Sequence, residues 1–352
     1  MSLHTPPKMN SYQKKLNKIR NQTPPGESRY GHIVIIVFLV LIAGASVWSF
    51  FNFTTIRDWY ILLNYNPPST IQALASYDTM TPYATKLFYV NKPLIESKTA
   101  FAIQCPGSSD STHVIGCYHS GDNGIYLLNV TDSRLNGIIQ VTAAYEMLHA
   151  GYARLSSSTK TKIDNAMWQY YSSANISSAI KQQMASYAIS EPGAKYDELY
   201  SVLGTEVGPI PSYLENHYKI YFSNRAKIVA AYNGYQSAFN DRQQEIASIK
   251  AQLAVLKDQI NALESSLSTL QSQLNSQQLT LNNDRFSNNF YAYNSAVNSY
   301  NATVNQYNSL VNSTKSDISQ YNNLVGTANA IAIEEQQLVS AISATPTTQS
   351  TK

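Results

Sequence analysis

Charge is scarce in this chain. Acidic and basic residues make up 13% of its 352 residues and nearly cancel to a formal net charge of +3, so the basic surface that nucleic-acid binding needs is missing. Cysteine is scarcer still: with only Cys105 and Cys117 available, a metal knot built on cysteine is excluded. There is no Gly-x-Ser-x-Gly turn to carry a serine nucleophile and no glycine-rich phosphate loop. Polarity comes instead from Ser, Asn, Gln and Tyr, while 43% of the residues are hydrophobic, enough for a buried core in one or two domains.

The few cations are unevenly spread. Six fall in the first 30 positions (Lys8, Lys14, Lys15, Lys18, Arg20 and Arg29) against a single acid, Glu27. With Pro6-Pro7 and Pro24-Pro25-Gly26 in the same stretch, residues 1–30 read as a disordered cytoplasmic tail. Its charges could touch anionic lipid, but at this density they rank as ordinary topology determinants. Residues 33–51 then carry no charge and end in Trp48, Phe50 and Phe51, which suit a headgroup interface. Residues 31–52 therefore read as a transmembrane helix, a single-pass anchor in the cell membrane. The positive N-terminal flank places that end in the cytoplasm and everything past about residue 53 outside. The rival reading is a cleaved signal peptide with Ala43-Gly44-Ala45 as its processing site. In an oxidising compartment Cys105 and Cys117 read as a disulfide stapling a hairpin.

The exported part divides by periodicity near Pro209-Ile-Pro211, giving residues 53–215 as a mixed α+β domain and 216–341 as coiled coil, with 342–352 as a disordered tail. Strand signals are residues 86–90, 99–104, 113–117 and 124–130, each bounded by Pro, Gly, Asn or Asp. A helix follows, starting around Asp132 and running to about Leu155. In the last third, Ile246, Ile249, Leu253, Leu256, Ile260, Leu263, Leu267, Leu270 and Leu274 alternate spacings of three and four. A second seam includes Phe286, Phe290, Tyr293, Val297, Tyr300, Val304, Tyr307 and Val311. The phase slips between them, which predicts an antiparallel hairpin with its tip near 282–289, about 50 Å from its base at 1.5 Å per residue. A continuous rod that dimerises is the alternative. The repeating Tyr and Val positions read as packing, and the near absence of charge beside the seam favours intramolecular pairing, although a protein partner could use the same surface.

The chemistry-bearing stretch is Val-Thr-Ala-Ala-Tyr145-Glu146-Met-Leu-His149-Ala, residues 141–150. On a helix, positions 145 and 149 share a face one turn apart and 146 is displaced by about 100°. Downstream lies Tyr196-Asp197-Glu198-Leu199-Tyr200, and then Glu206. These two segments resemble a membrane-anchored zincin-like metallopeptidase of the gluzincin type over residues 124–206. In that pattern, HExxH, two histidines four apart hold zinc and the glutamate activates the metal-bound water. Strands, an edge-like strand and then the helix bearing Glu and His is also the order of elements in a zincin N-terminal subdomain.

The resemblance makes His149 a zinc ligand, Glu198 the acidic ligand and Glu146 the general base or acid. Glu206 competes with Glu198, since spacing alone does not choose between them; Glu198 is preferred. Tyr145 stands where the first histidine belongs. Deprotonating a phenol from a pKa near 10 to bind zinc at neutral pH costs about 4 kcal/mol before any metal interaction offsets it. Three states are open: a metal-free relic, a weak or different metal site completed by Tyr145 or a loop histidine, and an active enzyme with unusual coordination. Among the other histidines His119 is the first to consider as a replacement, while His113 and His217 read as surface or boundary residues. The leading expectation is an extracytoplasmic pseudoenzyme with a binding or scaffolding role and no cofactor. The alternatives are an active zinc endopeptidase and a coiled-coil spacer.

Overall fold

The described chain forms two compact units, Met1–Asn64 and Tyr65–Lys352. The computed structural model describes residues 1–2, 8–21, 29–106, 115–120, 124–173, 176–190 and 193–344. Among the described residues the first unit holds three helices, α1 (Ser11–Arg20), α2 (Arg29–Phe51) and α3 (Phe53–Asn64). Helix α1 corrects the expectation of a disordered tail. The Asn10 side chain caps it by accepting the Tyr12 N–H at 3.3 Å, and Lys18 and Arg20 in its last turn oppose the helix dipole. The proline pairs that suggested disorder lie outside the described residues, as do positions 345–352 of the expected C-terminal tail. Within α2, Ile33–Phe51 has a mean hydropathy of 2.7 and no buried residue, which makes it long and apolar enough to cross a membrane.

The second unit is mainly helical around one small sheet. Helices α4 (Ser69–Tyr77) and α5 (Pro82–Val90) lead into β1 (Leu94–Glu96), α6 (Lys98–Gln104), β2 (Gly116–His119) and β3 (Gly124–Leu128). A 3-10 turn, Ser133–Leu135, precedes α7 (Ile138–Ala153), then α8 (Ser157–Ser173), α9 (Ser178–Ser190), α10 (Lys195–Thr205) and α11 (Ser212–Tyr218). Two long helices, α12 (Arg225–Phe286) and α13 (Phe290–Ile342), complete it.

Two of the expected strands are helices. At 86–90 the chain belongs to α5, because Thr81 caps the Ala84 N–H at 3.2 Å, proline opens the first turn, and Ala84, Leu87 and Phe88 form one buried face. At 99–104 it belongs to α6, capped by Ser97. In both, the cap decides a short apolar run whose periodicity is ambiguous. The strand expected at 113–117 begins at Gly116, positions 113 and 114 lying outside the described residues. β3 is the centre of the sheet, parallel to β1 (Ile95 opposite Leu127) and antiparallel to the edge strand β2 (Cys117 opposite Tyr126). The disulfide forms, with Cα atoms 6.1 Å apart, but it does not staple a hairpin. It ties Cys105, the C-cap of α6, to β2.

Helix α7 is the centre of the unit. It packs on α4, α5, α10, α12, β2 and β3, and among its buried residues are Val141, Ala143, Ala144, Met147, Leu148, Ala150 and Gly151. A helix apolar on every side is a buried helix, and small residues let neighbours approach. Gly137 caps its start in a left-handed conformation, φ +99°, where an added Cβ would also stand 3.2 Å from Ala231 of α12.

The two seams pair antiparallel, Arg242 near the base of α12 bonding Glu334 near the end of α13 at 2.9 Å. The turn falls at Ser287–Asn289, inside the expected tip, with Asn288 at φ +59°. At 62 residues α12 is about 93 Å long, longer than the seam alone implies. Its first turns, with Ile228, Val229 and Tyr235 buried, belong to the globular core rather than to a separate arm. Tyr293, Tyr300 and Tyr307 are half-buried along the seam, as are Val297, Val304 and Val311.

The approach of α10 to α7 depends on Gly204. A Cβ there would collide with Leu148 Cδ1 and lie 2.9 Å from Tyr218 Cε1, and both neighbours are fully buried. Gly204→Ala should therefore lower the unfolding free energy by about 1–3 kcal/mol despite alanine's better helix propensity. Thermal unfolding of the purified chain measures this; an unchanged or raised midpoint would show that the two helices can part without cost.

Candidate functional site

Burial of α7 turns its polar residues into obligations. A buried carboxylate or imidazole must be paired, and Glu146 and His149 are 5% and 8% exposed. Helix α10 supplies partners from its first turn, where Asp197 and Glu198 also sit well against the helix dipole. His149 Nδ1 lies 2.8 Å from Asp197 Oδ1, and its Nε2 lies 3.6 Å from Glu198 Oε1. Tyr145, one turn before His149, packs edge-on against it with ring centroids 5.0 Å apart. The Tyr145 hydroxyl donates to Glu198 Oε2 at 2.5 Å. Tyr145, His149 and Glu198, separated by as many as 53 residues in sequence, thus form one contact cluster.

Glu146 faces the other way, toward the sheet. An added Cβ on Gly116 of β2 would sit 2.6 Å from Glu146 Oε1 and would collide with Thr142. Gly116 therefore lets the edge strand lie directly over the Glu146 carboxylate. Sequence reasoning passed over Gly116, as a glycine opening a strand carries no signal of what approaches it.

The electrostatics keep the protons in place. Burial alone would draw His149 down, but the Asp197 hydrogen bond and the Glu198, Glu146 and Asp197 charges outweigh it and hold the imidazole up at about 10. Tyr145 is pushed well above the ordinary phenol value, by burial first and then by Tyr187, Glu198 and Glu206. At neutral pH His149 is thus an imidazolium, and Tyr145 donates to Glu198 as a neutral phenol.

Glu206, the other carboxylate considered for the third ligand, is elsewhere. It ends α10 as the C-cap, with Oε2 sealed from solvent and Oε1 accepting from Gln183 of α9 at 3.2 Å. It interacts with Glu198 and Tyr145 only through the field. Glu198 is the carboxylate that meets His149.

His119 does not complete the cluster. Side chains alternate along a strand, so Gly116, which faces Glu146, and His119 point to opposite sides of β2. His119 Nε2 instead lies 2.8 Å from the Gln104 carbonyl and 3.4 Å from Cys117 Sγ. His217 stacks among Tyr200, Tyr218 and Tyr221, with Nε2 2.7 Å from the Tyr200 hydroxyl. Burial draws it below the usual histidine value. His113 lies outside the described residues. Among the described residues, the ligand atoms of Cys105, Cys117 and His119 converge within 4.8 Å, but the disulfide leaves no thiolate there to bind a metal.

Zinc is a poor fit to the donors of the α7–α10 cluster. A catalytic zinc site takes three protein ligands. His149 and Glu198 are two, and the third position is a phenol whose proton is held more tightly than in water. Asp197 on Nδ1 is nevertheless the kind of partner that orients a metal-binding histidine and leaves Nε2 free to face the site. Asp197 was missed as a functional residue, although its place beside Glu198 in the same helical turn was visible. Comparison with protein-family models, curated proteins and solved structures returns no match.

Glu206 has a measurable consequence. Burial raises its carboxyl to about 7, against the hydrogen bonds from Gln183 and Tyr232 that draw it down and with Glu198 adding to the rise. Between 4.5 and 7 the unfolded chain releases this proton while the folded chain keeps it, so stability falls as pH rises through that window and stays lower above it. Glu206→Gln should be neutral near pH 4 and stabilising by about 2 kcal/mol near pH 8. Denaturant unfolding at both pH values reads the difference; equal effects at the two would rule out ionisation as the cause.

Proposed function

We propose that this is a membrane-anchored, extracytoplasmic, zincin-like protein whose peptidase chemistry has been lost and which acts by binding or scaffolding at the cell envelope. One observation carries the reading: the Tyr145 hydroxyl, in the place of the first histidine of HExxH, donates to Glu198, in the place of the third ligand. The positions that would share a metal are joined by a hydrogen bond. His149 keeps its orienting carboxylate, Asp197, and the edge strand still lies over Glu146. What survives is the arrangement around a metal, without the donor that would make it bind.

The anchor rests on α2. A run of 19 residues, Ile33–Phe51, with a mean hydropathy of 2.7 and full exposure has no favourable place in water and matches the thickness of a bilayer. Lys and Arg on its N-terminal side put that end in the cytoplasm and Tyr65 onward outside, where the Cys105–Cys117 disulfide is stable. The α12–α13 hairpin offers a long polar surface, rich in Asn, Ser and Gln, for a protein partner.

Metal analysis tests the site. The natural chain should carry far less than stoichiometric zinc, and Tyr145→His should bring in about one ion per chain, lost again when His149→Ala is added. Near-stoichiometric zinc in the natural chain, abolished by His149→Ala and accompanied by peptide hydrolysis that Glu146→Gln removes, would instead establish an active endopeptidase with non-standard ligation.

A further inference from the structure

The short helix ahead of the apolar span has a face that the activity reading does not use. Tyr12, Leu16 and Ile19 of α1 stand at i, i+4 and i+7, and Met9 precedes the helix on the same side. All four are exposed, from 50% at Met9 to 73% at Tyr12, and α1 has no buried residue. Lys14 and Lys18 lie on the opposite face. Lys15 and Arg20 fall about 60° and 80° to either side of Tyr12, at the two borders of the apolar stripe. Long cationic side chains at such borders can bury their stems along apolar surface while their heads stay in water.

Charge chooses the occupant of this face. Residues 8–21 hold five cations, Lys8, Lys14, Lys15, Lys18 and Arg20, and no acid occurs before Glu27. The tether confines the helix: between Arg20 and Arg29 the chain can span at most about 30 Å when fully extended, so α1 cannot leave the neighbourhood of whatever surface α2 enters. A ten-residue helix is also marginal in water on its own, and its stripe needs an apolar phase to be worth forming.

We propose that α1 is an interfacial helix that lies on the anionic lipid surface of the leaflet where α2 begins, with Met9, Tyr12, Leu16 and Ile19 among the acyl chains, Lys15 and Arg20 against the headgroups, and Lys14 and Lys18 on the outer face within the surface potential. The inference rests on α2 being a membrane anchor. Its consequence is that the N-terminal segment is docked rather than free, and that docking depends on lipid charge.

The test uses the full chain carrying Tyr12→Cys labelled with bimane, reconstituted into phosphatidylcholine vesicles with or without phosphatidylglycerol; Cys105 and Cys117 are paired and do not react. Blue-shifted emission, quenched by lipid with a nitroxide on its acyl chain, should appear with phosphatidylglycerol and be much weaker without it. Adding K14Q, K15Q and K18Q should shift the bound-to-free equilibrium by roughly a hundredfold, about fivefold per cation. Adding Leu16→Asp and Ile19→Asp should abolish quenching in both vesicles. Water-exposed emission in both vesicle types from a chain that resists carbonate extraction would overturn the interfacial helix and leave the anchor standing. Blue-shifted emission without nitroxide quenching would overturn it in favour of a protein partner for the same face. Quenching in a chain that carbonate extracts would support the helix and remove the anchor.

Discussion

The structure of the second unit, Tyr65–Lys352, depends on burying α7 on every side. Once a helix is covered by two strands and four helices, each polar side chain on it has to be matched at a fixed place, because water is no longer available to substitute. Tyr145, Glu146 and His149 set three such requirements, and they point in two directions. Tyr145 and His149 require acceptors on the α10 side, and Asp197 and Glu198 supply them. Glu146 requires room on the sheet side, and Gly116 provides it. The sheet, the edge strand and the order of helices after α7 can be understood as what it takes to satisfy one helix.

Close approach is the second constraint, and it falls on glycine and tyrosine together. Gly204 admits Leu148 and Tyr218 at the α7–α10 crossing, and Gly151 lies against the Tyr221 ring. The fully buried Tyr200, Tyr218 and Tyr221 fill the space that opens beyond them. Their hydroxyls are not wasted: Tyr218 donates to the Tyr200 carbonyl at 2.7 Å, and Tyr200 meets His217. Large rings with one polar end suit a crossing whose rim is close to water. The start of α12, fixed at Arg225 by bonds to Glu215 and to the Leu203 and Val207 carbonyls, roots the long hairpin in the same packing.

Legibility followed the length of each signal. The seams of α12 and α13 repeat over many turns, so their helices could be read from spacing and their turn from the slip in phase, which left an antiparallel hairpin as the first of two readings. The apolar run of α2 is shorter, at 19 residues, but unbroken by charge. The cysteine pair was readable as a bond but not as to what it joins, since loop composition says nothing about the elements beyond it. Residues 86–90 and 99–104 were misread because so short a run, with four apolar residues in each, fits either period, and the outcome was set by Thr81 and Ser97 just upstream. In the cluster, Glu198 was chosen over Glu206 by resemblance and met His149 in space. Asp197 and Gly116 escaped notice because each acts through a contact with a distant element, which no local pattern encodes.

A phenol at 145 changes what the α7–α10 cluster needs in order to be stable. A second imidazole at 145 would relieve the lone pairs facing it at the centre of the cluster only by turning its one N–H toward Glu198, by taking up a further proton or by binding an ion. A tyrosine at 145 carries its own proton into that centre. It donates to the Glu198 carboxyl at 2.5 Å. With Glu198 so held and His149 protonated between Asp197 and Glu198, the positions around the centre are satisfied by protons alone. A tyrosine at 145 therefore lets the α7–α10 cluster persist with no ion to organise it.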